Sequence, residues 1–410
     1  MTVLLSHGYY LEDDLKEQEI MKPYPPLGIL YISAWLKQHG ISCSVYDTTF
    51  SSKDAFRQHL IEQKPRLLAL YTNLMTKLNV LETIRFVRSR PELEDVIIVL
   101  GGPEVTHSKA NFLKAGADVI AIGEGEETML DLARCLESGN FHSDTLSLIP
   151  GIAFADGTGN VVTTAEREKL KDIDLLSMPD RKAIDLTLYL NAWKDRHGSN
   201  AASISTMRGC PYTCKWCSRA VYGLSYRRRS PAKVVEEMKW IRDQYNPDTL
   251  WFVDDVFTVS HKWLKEFADL VGSENIRIPF ECITRADRMN EDVIQLLKKA
   301  GCYRVWIGAE SGSQRIIDAM DRRVKVTQVR DMILLAKKYG IQSGTFIMLG
   351  YPGETVEDIE ETIHHLKASA PDLYTITLAY PIKGTELYEE VQGDFPNDLP
   401  WESSTDRQIE

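Results

Sequence analysis

The feature that most constrains this chain is a rhythm. Short apolar runs alternate with amphipathic stretches, once across residues 1–140 and again from residue 201. In the first stretch TVLLS (2–6), CSVYD (43–47), LLALYT (67–72), VIIVLGG (96–102) and VIAIGEGE (119–126) read as strands. Their continuous apolar character suits a parallel sheet covered on both faces. Helical patterns fill the gaps at about 28–39, 53–63, 78–90, 107–115 and 126–138. Five strand–helix units predict an α/β, doubly wound, Rossmann-like open sheet, on which ligands bind beyond the carboxyl ends of the strands.

The second stretch repeats the rhythm. ASISTM (202–207), TLWFVDD (249–255), PFECIT (279–284), RVWIGAES (304–311), GTFIMLG (344–350) and YTITLAY (374–380) read as strands. Ser230 with Pro231 opens one intervening helix, and Asn290 with Gly301 brackets another. Six parallel units predict a partial TIM-like (β/α)6 barrel, with its site at the carboxyl ends of the strands. Between the halves, 151–164 reads as a hairpin around Asp156-Gly157-Thr158-Gly159, and the chain to about 199 as a linker across the surface. The expected domains are therefore 1–140, a hairpin and linker at 141–199, the barrel at 200–390 and a short tail at 391–410.

With 410 residues the chain exceeds one typical core. Its net charge of −11 argues against a general nucleic-acid binder. The start lacks the basic flank of a signal peptide, and no apolar run reaches membrane-spanning length. An odd, unevenly spaced set of seven cysteines fits a reducing compartment, and a cytoplasmic location is expected.

Three of those cysteines crowd into RGCPYTCKWCSR (208–219): Cys210, Cys214 and Cys217. Thiolates so gathered hold soft metals, either zinc or an iron–sulfur cluster. A closed structural zinc site takes four ligands, and His197 and His261, the nearest histidines, stand at no finger spacing. Three ligands on a four-iron cluster leave one iron open. The spacing C-x3-C-x-aromatic-C, with Trp216 before the last cysteine and the first barrel strand just ahead, resembles the signature of the radical S-adenosylmethionine (radical SAM) superfamily. The resemblance covers roughly 200–390. It implies that the three cysteines hold a 4Fe–4S cluster whose open iron is chelated by SAM, and that one electron cleaves SAM to a 5′-deoxyadenosyl radical. It further implies SAM contacts at Trp216, at Asp254 and Asp255 past the second barrel strand, at Arg285 past the third, and at Glu310 and Ser311 past the fourth. There Gly308 and Gly312 would let a ligand approach. Arg229, in the basic run YRRRS (226–230), is a further candidate for the SAM carboxylate.

The first domain resembles the cobalamin-binding part of the cobalamin-dependent radical SAM class, through KPYPPLGILYISAWLKQHG (22–40), GGPEVT and GEGEE. The implied cobalamin cradle is Pro26, Leu27 and Gly28, Thr72 and Asn73, Gly101 and Gly102, and Gly123, Glu124 and Gly125. An Asp-x-His-x-x-Gly motif is absent, so the resemblance implies no protein histidine on cobalt. The implied function is methylation of an unactivated carbon of a small molecule, with electrons from a flavodoxin- or ferredoxin-type partner. The alternatives are a radical SAM cyclase, dehydratase, rearrangement or oxidation enzyme that does not methylate, and a non-catalytic zinc-binding scaffold. The short end after the barrel leaves no room for an added RNA-binding domain, and the substrate is not specified.

Overall fold

The computed structural model describes residues 3–395 and 400–404. The expected tail at 391–410 thus falls partly outside the described residues. Sheet one contains β1 (Val3–His7), β2 (Cys43–Tyr46), β3 (Leu67–Tyr71), β4 (Ile97–Gly101), β5 (Val119–Ala121), β6 (Ile152–Ala155) and β7 (Val161–Thr163), in the order β2-β1-β3-β4-β5-β6-β7. The first five strands are parallel, as their apolar runs require. The expected hairpin is present, and it extends this sheet: β6 pairs antiparallel with β5, and β7 with β6. Strand β5 is shorter than expected, because helix Gly125–Glu137 begins inside the run that reads as strand.

The second sheet begins at β8 (Ala201–Ile204), followed by a two-stranded ribbon of β9 (Met207–Arg208) and β10 (Arg227–Arg228). It continues through β11 (Thr249–Phe252), β12 (Phe280–Thr284), β13 (Cys302–Glu310), β14 (Gln342–Leu349) and β15 (Leu373–Leu378). The order β15-β14-β13-β12-β11-β8 is parallel throughout, an open half-barrel. Its helices start and stop where the sequence signals them. The Ser230 hydroxyl accepts from Lys233 N, the Asn290 side chain accepts from Val293 N, and Gly301 closes its helix at φ +96°. Phe252, Phe257, Phe267 and Phe280 interlock edge to face or tilted in the barrel core.

The segment before β8 is not the surface linker that its mixed composition suggests. It folds into helix Leu186–His197, which buries Leu186, Tyr189, Leu190 and Trp193, residues spaced three and four apart. Tyr189 Oη donates to Asp47 (2.7 Å) and Trp193 Nε1 to the Pro23 carbonyl (2.9 Å), both in the first domain. Leu190 enters the barrel core. Just upstream, Arg181 is 1% exposed and donates to Ser203 O (2.6 Å) and to Glu237 (2.7 Å). This helix therefore bolts the domains together.

Candidate functional site

The cysteines ride on a loop whose two ends are the strands of the β9–β10 ribbon, with Arg208 opposite Arg227 and Met207 opposite Arg228. Each end is fixed by charge. Arg208, 6% exposed, forms a two-pronged pair with Glu126, 5% exposed, and lies over the rings of Tyr31 and Tyr222. Arg227 pairs with Glu124 at 2.5 Å. Both acids belong to GEGEE, at the start of helix Gly125–Glu137 in the first domain. On the barrel side Asp254 receives the backbone N–H groups of Thr206 (2.7 Å) and Met207 (3.2 Å), and Arg228 lies 3.5 Å away. The ribbon is therefore gripped from both domains.

Within the loop Cys214 is buried, Cys210 half-buried and Cys217 exposed. The Cys214 thiol is pulled down to about 6, first by its hydrogen bond with Cys217 and then by the guanidiniums of Arg322 and Arg285. Arg285 Nη1 stands 3.4 Å from Cys214 Sγ. Two buried cations beside a thiolate fit an anionic, thiolate-held cluster. Among the described residues no three or more His, Cys, Asp or Glu side chains close around the position of a single metal ion. A cluster that takes one thiolate per iron asks for no such convergence.

The remaining barrel candidates separate into groups that face the cysteines and groups that hold the frame. Asp255 is exposed to the cleft, lines a small cavity of about 180 Å³ and has no hydrogen bond or ion pair among the described residues. Glu310 stands at φ +66°, at a register shift in β13, with Arg322 3.2 Å from its carboxylate. A left-handed glutamate at a strand's end is strain of the kind found at ligand sites. Trp216 packs against the small apolar cluster that includes Ile316, Met320 and Met348, under the Arg322 guanidinium. Arg285 faces Cys214 but is otherwise committed, to Asp287 (2.8 Å) and the Arg322 carbonyl (2.6 Å).

Three expectations are corrected by the packing. Arg229 is 5% exposed and saturated by Glu237, Ser205 O, Lys233 O and Tyr31, so it has no free face for a carboxylate. Asp254 is likewise consumed in holding the ribbon. Ser311 is 1% exposed and bonds Thr362 Oγ1 (3.2 Å) and Ser313 N (3.1 Å), behind the strand end. Helix Val356–Ser369 is what approaches Gly312, against Thr362 and Glu361, and the Arg322 side chain is what approaches Gly308. Arg322 itself carries no sequence signal. Its place is set by Gly308 O, which accepts from it at 2.8 Å.

In the first domain a cavity of about 400 Å³ opens at the carboxyl ends of β1, β3, β4 and β5. Pro26, Leu27 and Gly28 form one wall, at the start of helix Leu27–Gln38. Gly101 and Gly102 form another, and Gly123, Glu124 and Gly125 a third. Gly102 is at φ +112°, and a Cβ there would collide with the Thr72 carbonyl. Ala69, Val99, Ala121 and Met129 make the interior apolar. Thr72 and Asn73 do not line it: Thr72, fully buried, supports Gly102 from below, and Asn73 Oδ1 accepts from Thr76 N (2.9 Å). Tyr71, Val221, Tyr222 and Arg208 complete the mouth. The last three come from the cysteine-bearing region, which reading loops one at a time does not connect to this sheet. An apolar slot with glycine walls and a polar mouth fits a large cofactor whose tail ends in a flat aromatic base, as that of cobalamin does. Leu27, Gly28, Arg208 and Tyr222 line both this cavity and the one holding Asp255.

Family models match the same two regions: the radical SAM superfamily over residues 204–366 and the B12 binding domain over 19–133. The chain belongs to the radical SAM superfamily and carries a B12-binding domain ahead of the radical SAM domain. Among its relatives, an uncharacterized methyltransferase of Pyrococcus horikoshii is 27% identical over 373 residues, covering 89% of this chain and 78% of the relative. The anaerobic magnesium-protoporphyrin IX monomethyl ester cyclase of Rubrivivax gelatinosus is 26% identical over 398 residues, covering 95% and 70%. The solved structure of the radical SAM methyltransferase TsrM from Kitasatospora setae, with cobalamin and a [4Fe-4S] cluster bound, superposes with a TM-score of 0.78 at 18% identity, covering 100% of this chain and 84% of that one.

Proposed function

We propose that the chain is a cobalamin-dependent radical SAM methyltransferase acting on an unactivated carbon of a small molecule. The observation that carries this reading is the shared wall: Leu27, Gly28, Arg208 and Tyr222 border both the apolar first-domain cavity and the cavity at the head of the cysteine loop. When bound, the cluster with SAM supplies hydrogen abstraction and cobalamin supplies methyl transfer. Cys210, Cys214 and Cys217 hold the cluster, and Arg285 and Arg322 offset its charge beside Cys214. Asp255 receives the SAM amino group. Pro26, Leu27 and Gly28, with the Gly101–Gly102 and Gly123–Gly125 turns, hold cobalamin, and Met129 and Val99 keep water from its apolar end. A flavodoxin- or ferredoxin-type donor provides the electron. Seven free cysteines agree with a cytoplasmic, reducing location, and among the described residues no helix is long and apolar enough to cross a membrane.

The test is product analysis. Anaerobically reconstituted, reduced protein turning over a substrate with SAM should release S-adenosylhomocysteine together with 5′-deoxyadenosine. Productive turnover that yields 5′-deoxyadenosine alone would replace this reading with the cyclase type, which the likeness to the Rubrivivax relative favours.

A further inference from the structure

Arg322 stands beside the cysteine loop with unused hydrogen-bonding capacity. It is 7% exposed, and a guanidinium carries five N–H bonds. Nη2 serves both Gly308 O (2.8 Å) and Glu310 (3.2 Å). Nε is buried without a hydrogen-bond partner. Nη1 makes no hydrogen bond or ion pair among the described residues. Buried polar groups are normally bonded, so the N–H bonds of Nε and Nη1 call for an acceptor that the chain does not itself provide.

The backbone is strained to put this side chain where it is. Asp321 (φ +49°) and Arg323 (φ +57°) flank it, both in the left-handed region that disfavours residues other than glycine. The turn they make sends Arg323 out to 71% exposure, paired with Asp321, and Arg322 inward over the Trp216 ring at 5.6 Å. Gly308 makes room for it, since a Cβ there would collide with Nη2. Arg285 braces the turn by donating to the Arg322 carbonyl (2.6 Å). Strained backbone around a side chain with unanswered donors is the pattern of a ligand contact.

The neighbouring arginines are engaged at every nitrogen. Arg285 gives Nε to Asp287 (2.8 Å), Nη2 to the Arg322 carbonyl and Nη1 to Cys214 Sγ (3.4 Å). Arg228 gives Nε to Thr206 Oγ1 (3.1 Å), Nη1 to Phe257 O (2.6 Å) and Nη2 to Asp254 (3.5 Å). Glu310, the acid that faces Arg322, meets only Nη2. The charge is thus answered while the other donors are not. A carboxylate suits them, because its two oxygens accept several charge-assisted bonds at once.

We infer that Arg322 receives the carboxylate of SAM, the role that the commitments of Arg229 and Arg285 leave open. The inference rests on the reading of the cysteine site as a cluster whose open iron SAM chelates, with Asp255 on the amino side. Its test does not need turnover.

The test is anaerobic equilibrium dialysis of oxidised, cluster- and cobalamin-loaded protein against labelled SAM and labelled decarboxylated SAM. Arg322→Lys keeps a cation opposite Glu310 but has fewer N–H bonds to offer. It should weaken SAM about tenfold and leave the decarboxylated ligand unchanged. Arg322→Met should weaken SAM about fiftyfold, again with no change for the decarboxylated ligand. Iron and cobalt per chain should match the parent protein in both. A loss of SAM affinity under threefold in both variants, or an equal loss for the two ligands, would overturn the assignment. So would loss of iron from Arg322→Lys, which would make the cluster itself the acceptor. A parent protein that binds no SAM would overturn both this inference and the radical reading beneath it. Protein that loses SAM affinity as described but forms no S-adenosylhomocysteine in turnover keeps Arg322 in this role and loses only the methylation reading.

Discussion

Neutralising Glu126 tests whether the cysteine loop is held from the first domain. Glu126→Gln keeps the side chain's shape and removes its charge, leaving the Arg208 guanidinium in a site that is 6% exposed. Breaking one partner of a buried pair costs about 3–5 kcal/mol. Two features pull the figure to the low end. Glu124 remains 3.7 Å from Arg208 Nη1, and the Tyr31 and Tyr222 rings flank the guanidinium at 5.5 Å each. The expectation is therefore about 3 kcal/mol, or roughly a hundredfold in the opening equilibrium of the ribbon. Hydrogen–deuterium exchange of the amides of β9 and β10 reads this directly, as a hundredfold loss of protection confined to the ribbon and its loop. The paired variant Glu126→Leu with Arg208→Met should recover most of the loss, because it leaves no orphaned charge. A change under about 1 kcal/mol in the single variant would refute the argument, since it would mean that water already solvates the pair.

Changing any one of Cys210, Cys214 or Cys217 to Ala should abolish SAM cleavage and lower the iron retained after anaerobic gel filtration, with far-ultraviolet circular dichroism unchanged. Gly102→Ala should cost about 1–3 kcal/mol in backbone strain alone and lower cobalamin retention further by pushing Thr72 out of place, measured as cobalt per chain after desalting. His365 is fully buried and both its ring nitrogens are unpartnered; burial first, then Arg330 and His364, bring it down to about 4. Its folded pKa lies below the unfolded value near 6.5, so its stabilising share is present above about pH 6.5 and drains as pH falls toward 4. The slope approaches about 1.4 kcal/mol per pH unit and totals about 3 kcal/mol. Urea titrations from pH 7 to 4.5 should show it, and His365→Leu should flatten that part of the curve.

Much of the fold was legible because its signals are local. The apolar runs that become β1, β3, β4 and β5 and the barrel strands β8 and β11–β14 are set by burial, β15 carries the same apolar pattern with its residues exposed, and Ser230, Asn290 and Gly301 mark helix ends by chemistry confined to one turn. The cysteine loop was legible for the same reason. What escaped depends on partners far along the chain. Arg229 reads as a basic patch until Glu237, Ser205 and Tyr31 are placed around it. The helix Leu186–His197 has a plain spacing of Leu186, Tyr189, Leu190 and Trp193, but the polar residues around it disguise the pattern. Arg322 matters only because the chain returns from β13 past Cys214. The two glutamates of GEGEE look like turn residues of the first domain, yet their partners are Arg208 and Arg227 in the second.

That last arrangement bears on how the molecule matures. Both margins of the cysteine loop are moored to acids belonging to the other domain, so an excised barrel would present Arg208 and Arg227 without counter-charges and hold its thiols from the barrel side alone. Iron delivery would then have to wait for the domains to dock. The iron-bearing and cobalt-bearing halves are thus committed to being built, and lost, as one unit.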